Sequence, residues 1–315
     1  GIKYIDFDDM IYLPAKLGLV SKTFDLLIVD EAQDLNTAQH AIVCNAAKQV
    51  LMVGDDQQAI YGFRGSDSDS INNCIKKLGD NVLEFPLTVT WRCPKSHVEA
   101  INHIVPDLKA APGALEGEIH NIDRTKLIEN LNGSKSLVMC RTNAPLCQLA
   151  FRLIKNSTPC RIQGREFGAG LVTLIKKLEG ADIPSLMEKL NEYQNREEQR
   201  IMKANQFSSE SAIQLVHDKC DCIRVLSEGL SEVNEVIDLI ESLFDPAKKG
   251  DQVLLSSGHR AKGLEADDIF ILHPELLPHP MAQQAWEKEQ ERNLYYVIHT
   301  RGKKRKFIVI EEEDN

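Results

Sequence analysis

Short apolar runs alternate with helix-like segments over the first part of the chain. The runs are DLLIV at 25–29, VLMVG at 50–54 and NVLEF at 81–85, and segments with helical spacing lie between them at 37–48 and 69–78. Apolar runs of this length and composition predict buried strands. Strands that alternate with helices in this way predict a parallel sheet covered by helices.

A second alternating series occupies the later part of the chain. Its predicted elements are strands at 136–140, 160–164, 252–256, 269–272 and 307–310, with helices at 143–155 and 281–299. The series is interrupted between 166 and 250, where apolar residues such as Leu186, Leu190 and Tyr193 recur at every third or fourth position. This spacing is typical of amphipathic helices, and it predicts a helical insertion.

The two series together predict an α/β protein with two parallel-sheet domains and a helical insertion in the second. The expected boundaries are 1–86 for the end of a first domain, 87–165 and 251–315 for the two parts of a second domain, and 166–250 for the insertion. A length of 315 residues agrees with two domains, because a domain has roughly 150 residues.

Composition and charge narrow the class of protein. The chain is 43% hydrophobic and 27% charged, as folded proteins are. Its longest uncharged apolar runs are shorter than the roughly 20 residues that cross a bilayer, so we expect a soluble, cytoplasmic protein with no membrane partner. Eight cysteines without a secretory leader predict reduced thiols. The net charge of −10 requires any nucleic acid to meet a local basic surface.

Paired carboxylates follow the first strand-like run, in FDLLIVDEAQD at 24–34. Ligands of open α/β sheets bind at the carboxyl ends of the strands. In a nucleotide hydrolase, Asp30 would hold Mg²⁺ directly or through its water, and Glu31 would orient or deprotonate the attacking water. The alternative is an acidic helix start, with Asp34 or Asn36 as the N-cap.

The next strand-like run ends in GDDQQAIYGFRGS at 54–66. DEAQD followed by this segment resembles motifs II and III of the UvrD/Rep-like superfamily 1 helicases, ATP-driven motors with two RecA-like domains. The resemblance implies that Gln58 senses the γ-phosphate and that Tyr61, Phe63 and Arg64 face single-stranded DNA. Aromatic rings stack on bases of any sequence, and arginine can engage a phosphate, which suits these roles. An aromatic turn packed on the core is the alternative for the two rings.

The segment LTVTWRCP at 87–94 resembles motif IV of the same family. The resemblance implies that Arg92 is an arginine finger and that Trp91 stacks on the adenine ring. A finger needs a permanent cation, and the planar fork of arginine matches phosphate oxygens. A core aromatic is the alternative for Trp91.

Two later segments resemble motifs V and VI. In SSGHRAKGLEADDIFIL at 256–272, the resemblance places Glu265 near the ribose or γ-phosphate, and His259 and Lys262 near DNA phosphate. In EQERNLYYVIHTRGKKRKFIVI at 289–310, it makes Arg301 a second arginine finger. The basic run RGKKRK is either a phosphate-contacting patch or a solvated turn before a strand.

Two weaker signals remain. RTNAPL at 141–146 falls where UvrD-like proteins carry an auxiliary DNA-contact motif, which makes Thr142 and Asn143 candidate DNA-backbone contacts, although RTN is also a common helix start. His217, Cys220 and Cys222 supply three zinc-type ligands without a paired fourth, inside a helical pattern. Because structural zinc sites need four ligands, we expect no metal there.

The phosphate-binding pattern GxxxxGK(S/T) is absent from the sequence. In UvrD-like proteins this loop lies before DEAQD, so we expect a fragment that begins part-way through the first RecA-like domain and is inactive by itself. The resemblance implies that the parent protein is an ATP-dependent DNA helicase or translocase. It would use ATP and Mg²⁺, move 3′ to 5′, and act on single-stranded DNA and duplex junctions. The alternative is a non-catalytic DNA-binding or interaction protein derived from a helicase.

Overall fold

The computed structural model describes residues 5–61, 70–203, 209–247, 250–280 and 282–310. The chain divides into two compact units, of which the first comprises Gly1–Leu87 and Gln284–Asn293 and the second comprises Thr88–Gln283 and Leu294–Asn315. Among the helices of the described residues, none has the continuous apolar stretch that a membrane span requires.

The described strands are β1 (Phe24–Val29), β2 (Ala47–Met52), β3 (Val89–Thr90), β4 (Lys109–Ala110), β5 (Glu118–Asp123), β6 (Ser136–Cys140), β7 (Cys160–Ile162), β8 (Val253–Ser257), β9 (Ala266–Leu272) and β10 (Gly302–Ile310). The described helices are α1 (Phe7–Lys16), α2 (Thr37–Ala46), α3 (Ser70–Leu78), α4 (Lys95–Glu99), α5 (Leu127–Asn130), α6 (Ala144–Lys155), α7 (Arg165–Leu178), α8 (Ile183–Lys203), α9 (Ser209–Ser227), α10 (Val233–Leu243) and α11 (Ala285–His299). Short 3₁₀ turns connect several of them.

In the first unit, β1 and β2 pair in parallel, with Val29 opposite Met52. Helix α2 lies between them in sequence and begins at a capping box in which Asn36 and Gln39 exchange side-chain and backbone hydrogen bonds. The predicted strands at 25–29 and 50–54 are thus present, and the second lies a few residues earlier than expected. The prediction that β1 is buried is wrong, because its apolar side chains are half-buried or exposed and β2 is its partner strand in the described chain.

The strand predicted for NVLEF at 81–85 does not form. A 3₁₀ turn over Gly79–Asn81 precedes this segment, and residues 82–88 have no regular structure. Leu83 and Phe85 are exposed at 82% and 79%. Their β propensity is not realised because a strand forms only where a neighbouring strand accepts its backbone hydrogen bonds.

In the second unit, six strands of the described chain form one sheet in the order β5-β10-β9-β6-β8-β7, and every neighbouring pair is parallel. Strand β6 lies inside the sheet, and all of its residues are buried. The predicted strands at 136–140, 160–164, 252–256, 269–272 and 307–310 are confirmed in this sheet. The predicted mixed α/β class is therefore confirmed. Strands β3, β4 and β5 were not predicted, because their sequences carry no strong strand pattern.

The helical prediction for the block from 166 to 250 is confirmed by α7, α8, α9 and α10. Leu186 and Leu190 of α8 belong to the same buried cluster as Ile223 of α9 and Val138 and Phe270 of the sheet. The block therefore shares one continuous apolar core with the second sheet.

Candidate nucleotide and nucleic-acid sites

The carboxyl ends of β1 and β2 bring the first two motifs together. The backbone N–H of Val53 donates to Val29 O at 2.8 Å, and that of Ala32 donates to Val53 O at 2.9 Å. These bonds continue the parallel pairing past the ends of both strands. Asp30 and Glu31 are therefore held beside the start of the loop that follows β2. Both acidic side chains are exposed, and Glu31 has a left-handed backbone with φ of 51°. A non-glycine residue rarely adopts this conformation, and such residues are concentrated at functional sites.

Gln33 connects the two loops through its buried side-chain amide. Its Nε2 donates to Glu31 Oε2 at 2.5 Å, and its Oε1 accepts from the backbone N–H of Asp55 at 3.0 Å. The side chain is only 1% exposed. Gln33 thus orients the Glu31 carboxylate. This role was not predicted from the sequence, although Gln33 is part of DEAQD.

Gly54 permits this close approach of the two loops. A Cβ at this position would lie 2.6 Å from Gln33 Oε1, 2.8 Å from Ile71 Cδ1 and 3.2 Å from the backbone nitrogen of Ala32. No side chain fits there without displacing the amide that binds Glu31.

Gln58 lies at the end of a 3₁₀ turn that follows β2. Its Nε2 donates to Asp55 Oδ2 at 2.8 Å, and the turn is anchored by Asn293 of α11, whose Nδ2 donates to Asp56 O at 3.1 Å and Ala59 O at 3.0 Å. Asn293 was not a predicted site residue, because its partners are backbone carbonyls that a sequence motif does not reveal. Its part of α11 belongs to the first unit.

The predicted DNA-facing side of this loop is described only in part. Tyr61 is half-buried, next to the buried Ile60. Phe63 and Arg64 lie outside the described residues, so their assignment to single-stranded DNA stays a prediction.

In the second unit, a cleft of about 830 Å³ contains Trp91, Arg92 and Glu265. The Trp91 side chain is 83% exposed, which excludes the alternative that it is a core aromatic in this arrangement. Pro112 and Leu115 also line this cleft. An exposed indole beside apolar side chains can accommodate a planar ring.

Glu265 binds two cations of this cleft. Arg92 Nε donates to its Oε2 at 2.9 Å, and Lys303 Nζ lies 2.5 Å from its Oε1. The hydrogen bonds from Lys303 and then from Arg92 lower the pKa of Glu265. The structure thus brings together the predicted nucleotide ligands Trp91, Arg92 and Glu265. It adds Lys303, whose pairing with Glu265 was not predicted because Lys303 stands in a run of several basic residues.

Arg301 is not presented to solvent. Its side chain is 2% exposed, Nε donates to Val297 O at 2.7 Å, and one terminal nitrogen donates to Thr300 Oγ1 at 2.9 Å. The guanidinium therefore stabilises the carboxyl end of α11, where cations interact favourably with exposed carbonyls. Contact with a γ-phosphate would require this side chain to leave those partners.

The basic run at 301–306 is not a solvated turn, because residues 302–306 form the start of β10. Three of its cations, Lys303, Lys304 and Arg305, pair with acids that precede or belong to β9. Lys304 Nζ lies 2.8 Å from Asp267 Oδ2, and both ends of the Arg305 guanidinium donate to Asp268. These acids neutralise the cations locally, so this run is not an unpaired phosphate-binding surface.

Of the two candidates at 142 and 143, the structure presents only one to solvent. Thr142 is half-buried, whereas Asn143 is buried and donates to Asp218 through its backbone N–H at 2.8 Å and its Nδ2 at 2.6 Å. The backbone N–H of Ala144 also donates to Asp218, at 3.0 Å. Burial raises the pKa of Asp218 in spite of these bonds. Asn143 therefore anchors the start of α6 to α9 rather than offering its amide to DNA.

The remaining predicted residues follow β8 or lie in the helical block. His259 and Lys262 are half-buried at a 3₁₀ turn, and Gly263 after them has a positive φ of 81°. His217 Nε2 lies 2.6 Å from Glu198 Oε1, while Cys220 and Cys222 are buried in the core. Within the described ranges, no group of three or more histidine, cysteine or acidic side chains is placed to hold a metal ion.

Two family models match the chain. The model of the UvrD/REP helicase N-terminal domain matches residues 2–79, and the model of the UvrD-like helicase C-terminal domain matches residues 173–313. The chain belongs to the UvrD/Rep-like family of superfamily 1 helicases. Asp30, Glu31 and Gln58 fall within the first matched range, and Glu265 and Arg301 fall within the second.

Individual relatives agree with the family models. F-box DNA helicase protein 1 of Schizosaccharomyces pombe is 25% identical over 304 residues, which cover 90% of this chain and 34% of the relative. The ATP-dependent DNA helicase PcrA of Leuconostoc citreum is 27% identical over 194 residues, covering 51% of this chain and 26% of the relative. PcrA of Staphylococcus epidermidis is 32% identical over 112 residues, covering 32% and 15%. The chain thus spans about a third or less of the length of these relatives.

Proposed function

We propose that this chain is part of an ATP-dependent DNA helicase or single-stranded DNA translocase that moves 3′ to 5′. In this proposal, residues 1–86 belong to the first RecA-like domain and residues 87–165 and 251–315 to the second, with 166–250 as its helical insertion. Membership in the helicase family supports the general activity. The printed names of the relatives support ATP as the fuel and DNA as the substrate.

The observation that carries the proposal is the connection from Glu31 through Gln33 to Asp55. One carboxylate after β1 is oriented by a buried amide, and that amide also holds the loop on which Gln58 lies. A hydrolase needs its base and its phosphate sensor in a fixed relation, because misplacement of either group lowers the rate steeply. A purely structural turn has no need of an exposed carboxylate held in a left-handed backbone.

The acidic pair fits the chemistry of a nucleotide and a divalent cation. Asp30 is an exposed carboxylate at a strand end, which suits Mg²⁺, a cation that prefers oxygen ligands. Bound there, the ion would neutralise charge on the phosphates. Glu31 would orient or deprotonate the attacking water, and Gln58 would contact the γ-phosphate.

In the second unit, Trp91 would stack on the adenine ring and Arg92 would bind phosphate. The permanent charge and planar fork of the guanidinium suit that second role. Glu265 and Arg92 line the same cleft. When the nucleotide binds, Glu265 would give up its hydrogen bond with Arg92 and lie near the ribose or phosphate region of the nucleotide. Arg301 would serve as the second finger only after it leaves Val297 and Thr300.

The proposed cycle couples hydrolysis to movement along DNA. Tyr61, Phe63 and Arg64 would contact bases and phosphate of the single strand, together with Thr142, His259 and Lys262. The first three residues lie in the first unit and the last three in the second. Nucleotide binding and hydrolysis would make the two groups bind DNA in turn, which would move the protein along the strand and open duplex junctions.

The test is ATP hydrolysis by the complete protein, measured with and without single-stranded DNA. We expect stimulation by the DNA, and we expect Glu31→Gln to reduce turnover by 10² or more while nucleotide binding persists, because general acid–base catalysis contributes roughly 10² to 10⁴. Glu84→Gln, which changes an exposed acid of the same unit, is the matched control and should retain turnover. Intact hydrolysis in Glu31→Gln would remove the proposed role of this carboxylate.

A non-catalytic DNA-binding or interaction protein is the second candidate. It is favoured by one observation, the absence of GxxxxGK(S/T) from the sequence. For the same reason, we propose that the 315-residue chain alone does not hydrolyse ATP. DNA binding by the complete protein without ATP binding or hydrolysis would favour this second candidate.

A further inference from the structure

Three side chains of the first unit form a cluster that the proposed function does not use. His40 Nδ1 lies 2.6 Å from Cys74 Sγ, and Cys44 Sγ lies 3.7 Å from the same sulfur. His40 and Cys44 are four residues apart on α2, so they share one face of that helix. Cys74 of α3 contacts this face.

The two thiols differ in their access to solvent. The described residues include all eight cysteines, and Cys44 alone among them is not buried. Cys74 is 1% exposed and His40 is 2% exposed. An oxidant dissolved in water therefore reaches Cys44 first, and Cys74 lies directly behind it.

Among the other cysteines, Cys222 hydrogen-bonds to Cys147, but both of these thiols are buried. Burial raises the pKa of Cys140 to about 12 and that of Cys220 to about 11, and it also raises the pKa of Cys93 and Cys222. A thiol held in its protonated form is a poor nucleophile, because the thiolate is the reactive species. These four thiols are thus expected to be inert, which makes them internal references for the pair in the first unit.

We propose that Cys44 and Cys74 form a reversible disulfide on exposure to hydroperoxides, with His40 as the base that activates Cys74. The bond requires the two sulfurs to approach by about 1.7 Å, from 3.7 Å to the roughly 2.05 Å of a disulfide. Rotation about the side-chain bonds of two facing helices can supply such a movement without a change of fold.

The reaction has two balanced steps. The Cys44 thiolate attacks a peroxide oxygen, the O–O bond breaks, and the products are the Cys44 sulfenic acid and hydroxide, which takes up the thiol proton to give water. The neutral imidazole of His40 then accepts the proton of Cys74, whose thiolate attacks Cys44 Sγ and expels hydroxide. His40 returns its proton to that hydroxide, so two thiols and one hydrogen peroxide give one disulfide and two waters. An external dithiol reverses the bond by exchange.

The cross-link would act on the helix beside the Gln58 loop. Ile71 of α3 approaches Gly54 so closely that a Cβ there would lie 2.8 Å from Ile71 Cδ1. A disulfide that ties α3 to α2 would therefore restrict the helix that contacts the start of this loop. Such a site would let oxidation alter the proposed motor without any change at its carboxylates.

The test is mass spectrometry of the 315-residue chain after exposure to hydrogen peroxide, alkylation of free thiols in denaturant and proteolysis without reduction. We expect a cross-link between the peptides that contain Cys44 and Cys74, at a dose that leaves Cys140 and Cys220 alkylated. Dithiothreitol should remove it. Cys44→Ser should abolish the link and leave Cys74 reduced, whereas Cys160→Ser, a matched removal of a buried thiol, should leave the link unchanged.

The role of His40 is tested by the rate of the second step, the conversion of the Cys44 sulfenic acid to the disulfide. His40→Asn should slow this conversion roughly tenfold and let the sulfenic acid accumulate, because a histidine partner lowers a thiol pKa by one unit or more. An unchanged rate of this step in the variant would overturn the assignment of His40 as the base. The proposal as a whole is overturned if wild-type Cys44 stops at sulfenic or sulfinic acid with Cys74 reduced, or if links to other cysteines form equally well. None of these readouts depends on ATP hydrolysis, so the motor proposal can fail separately.

Discussion

Arg92 Nε donates a hydrogen bond to Glu265 Oε2 over 2.9 Å, which joins two residues 173 positions apart in the chain. Both side chains line the cleft beside Trp91, and Lys303 completes the group from β10. The ion pair holds the Arg92 guanidinium in a defined position. In the proposed function, Glu265 would release this guanidinium when a phosphate binds.

The Glu265 carboxylate should contribute modestly to stability, and its contribution should depend on pH. Its pKa is lowered from 4.5 in the folded state by Lys303 and Arg92, so its contribution is complete above pH 4.5 and is lost as the pH falls through the folded value. Because the group is exposed to screening solvent, Glu265→Gln should reduce the free energy of unfolding at pH 7 by less than about 1 kcal/mol.

Urea unfolding of wild type and Glu265→Gln at pH 7 and at pH 3 measures this difference, which should shrink at the lower pH. Glu116→Gln provides the control, since Glu116 also pairs with a lysine at the surface, Lys95 at 3.2 Å. A difference that grows on acidification would contradict the assigned sign.

Gly54→Ala should destabilise the first unit by about 1 to 3 kcal/mol, as overpacking of a tight site typically does. The new methyl group would displace Gln33 Oε1, 2.6 Å away, and through it the Glu31 carboxylate. Gly170→Ala in α7 is the matched control, because no atom lies within 4 Å of its added Cβ. In that helix, alanine should stabilise by roughly 0.5 to 1 kcal/mol. Equal unfolding midpoints for the two variants would contradict this account.

Lys306→Met should stabilise the second unit at neutral pH. The side chain is 1% exposed, and its Nζ has no hydrogen-bond partner among the residues described. Burial lowers the pKa of Lys306 from 10.5 to about 8. Since the unfolded chain holds the proton more tightly, wild-type stability should rise with pH between those two values.

Methionine would remove both the cost of the buried charge and that rise, a gain of roughly 3 kcal/mol at pH 7 that fades by pH 10. Thermal or urea unfolding across this range is the measurement. Lys304→Met removes an exposed lysine of the same strand and should show no comparable gain. A loss of stability in Lys306→Met at pH 7 would be the contrary result.

Asn143→Ala should lower stability without weakening DNA binding. The variant removes the 2.6 Å bond from Nδ2 to the buried Asp218 carboxylate, at a cost of about 1 to 3 kcal/mol. Thr142→Ala, at the half-buried neighbour, should cost less than about 0.5 kcal/mol. Chemical unfolding and fluorescence anisotropy with single-stranded DNA separate the two effects, and reduced DNA affinity at unchanged stability in Asn143→Ala would restore the original prediction.

Much of the second unit could be predicted from the sequence because its signals are local. The run SLVMC is buried on both faces in the middle of a parallel sheet, and such strands are continuously apolar. The helices around Leu186 and Leu190 were likewise evident from their spacing. NVLEF has the same local composition as a strand, but it forms none, because pairing depends on a neighbour that periodicity does not reveal.

The candidate site divides in the same way. Asp30, Glu31 and Gln58 stand in short contiguous motifs, so their chemistry could be proposed from residue type and order. The contacts of Gln33 with Glu31 and of Lys303 with Glu265 were not predicted, because they depend on how the chain folds and not on the order of the residues.

The α/β class, the helicase family and the identity of the acidic, basic and aromatic groups at the motifs could all be inferred from the order of the residues. The availability of those groups could not, and it follows from the fold. Trp91 is exposed, Arg301 donates to the end of α11, Asn143 is buried against Asp218, and three cations of the basic run pair with acids of or before β9. Burial and charge pairing depend on contacts between distant segments, whereas residue type and periodicity are properties of the chain alone.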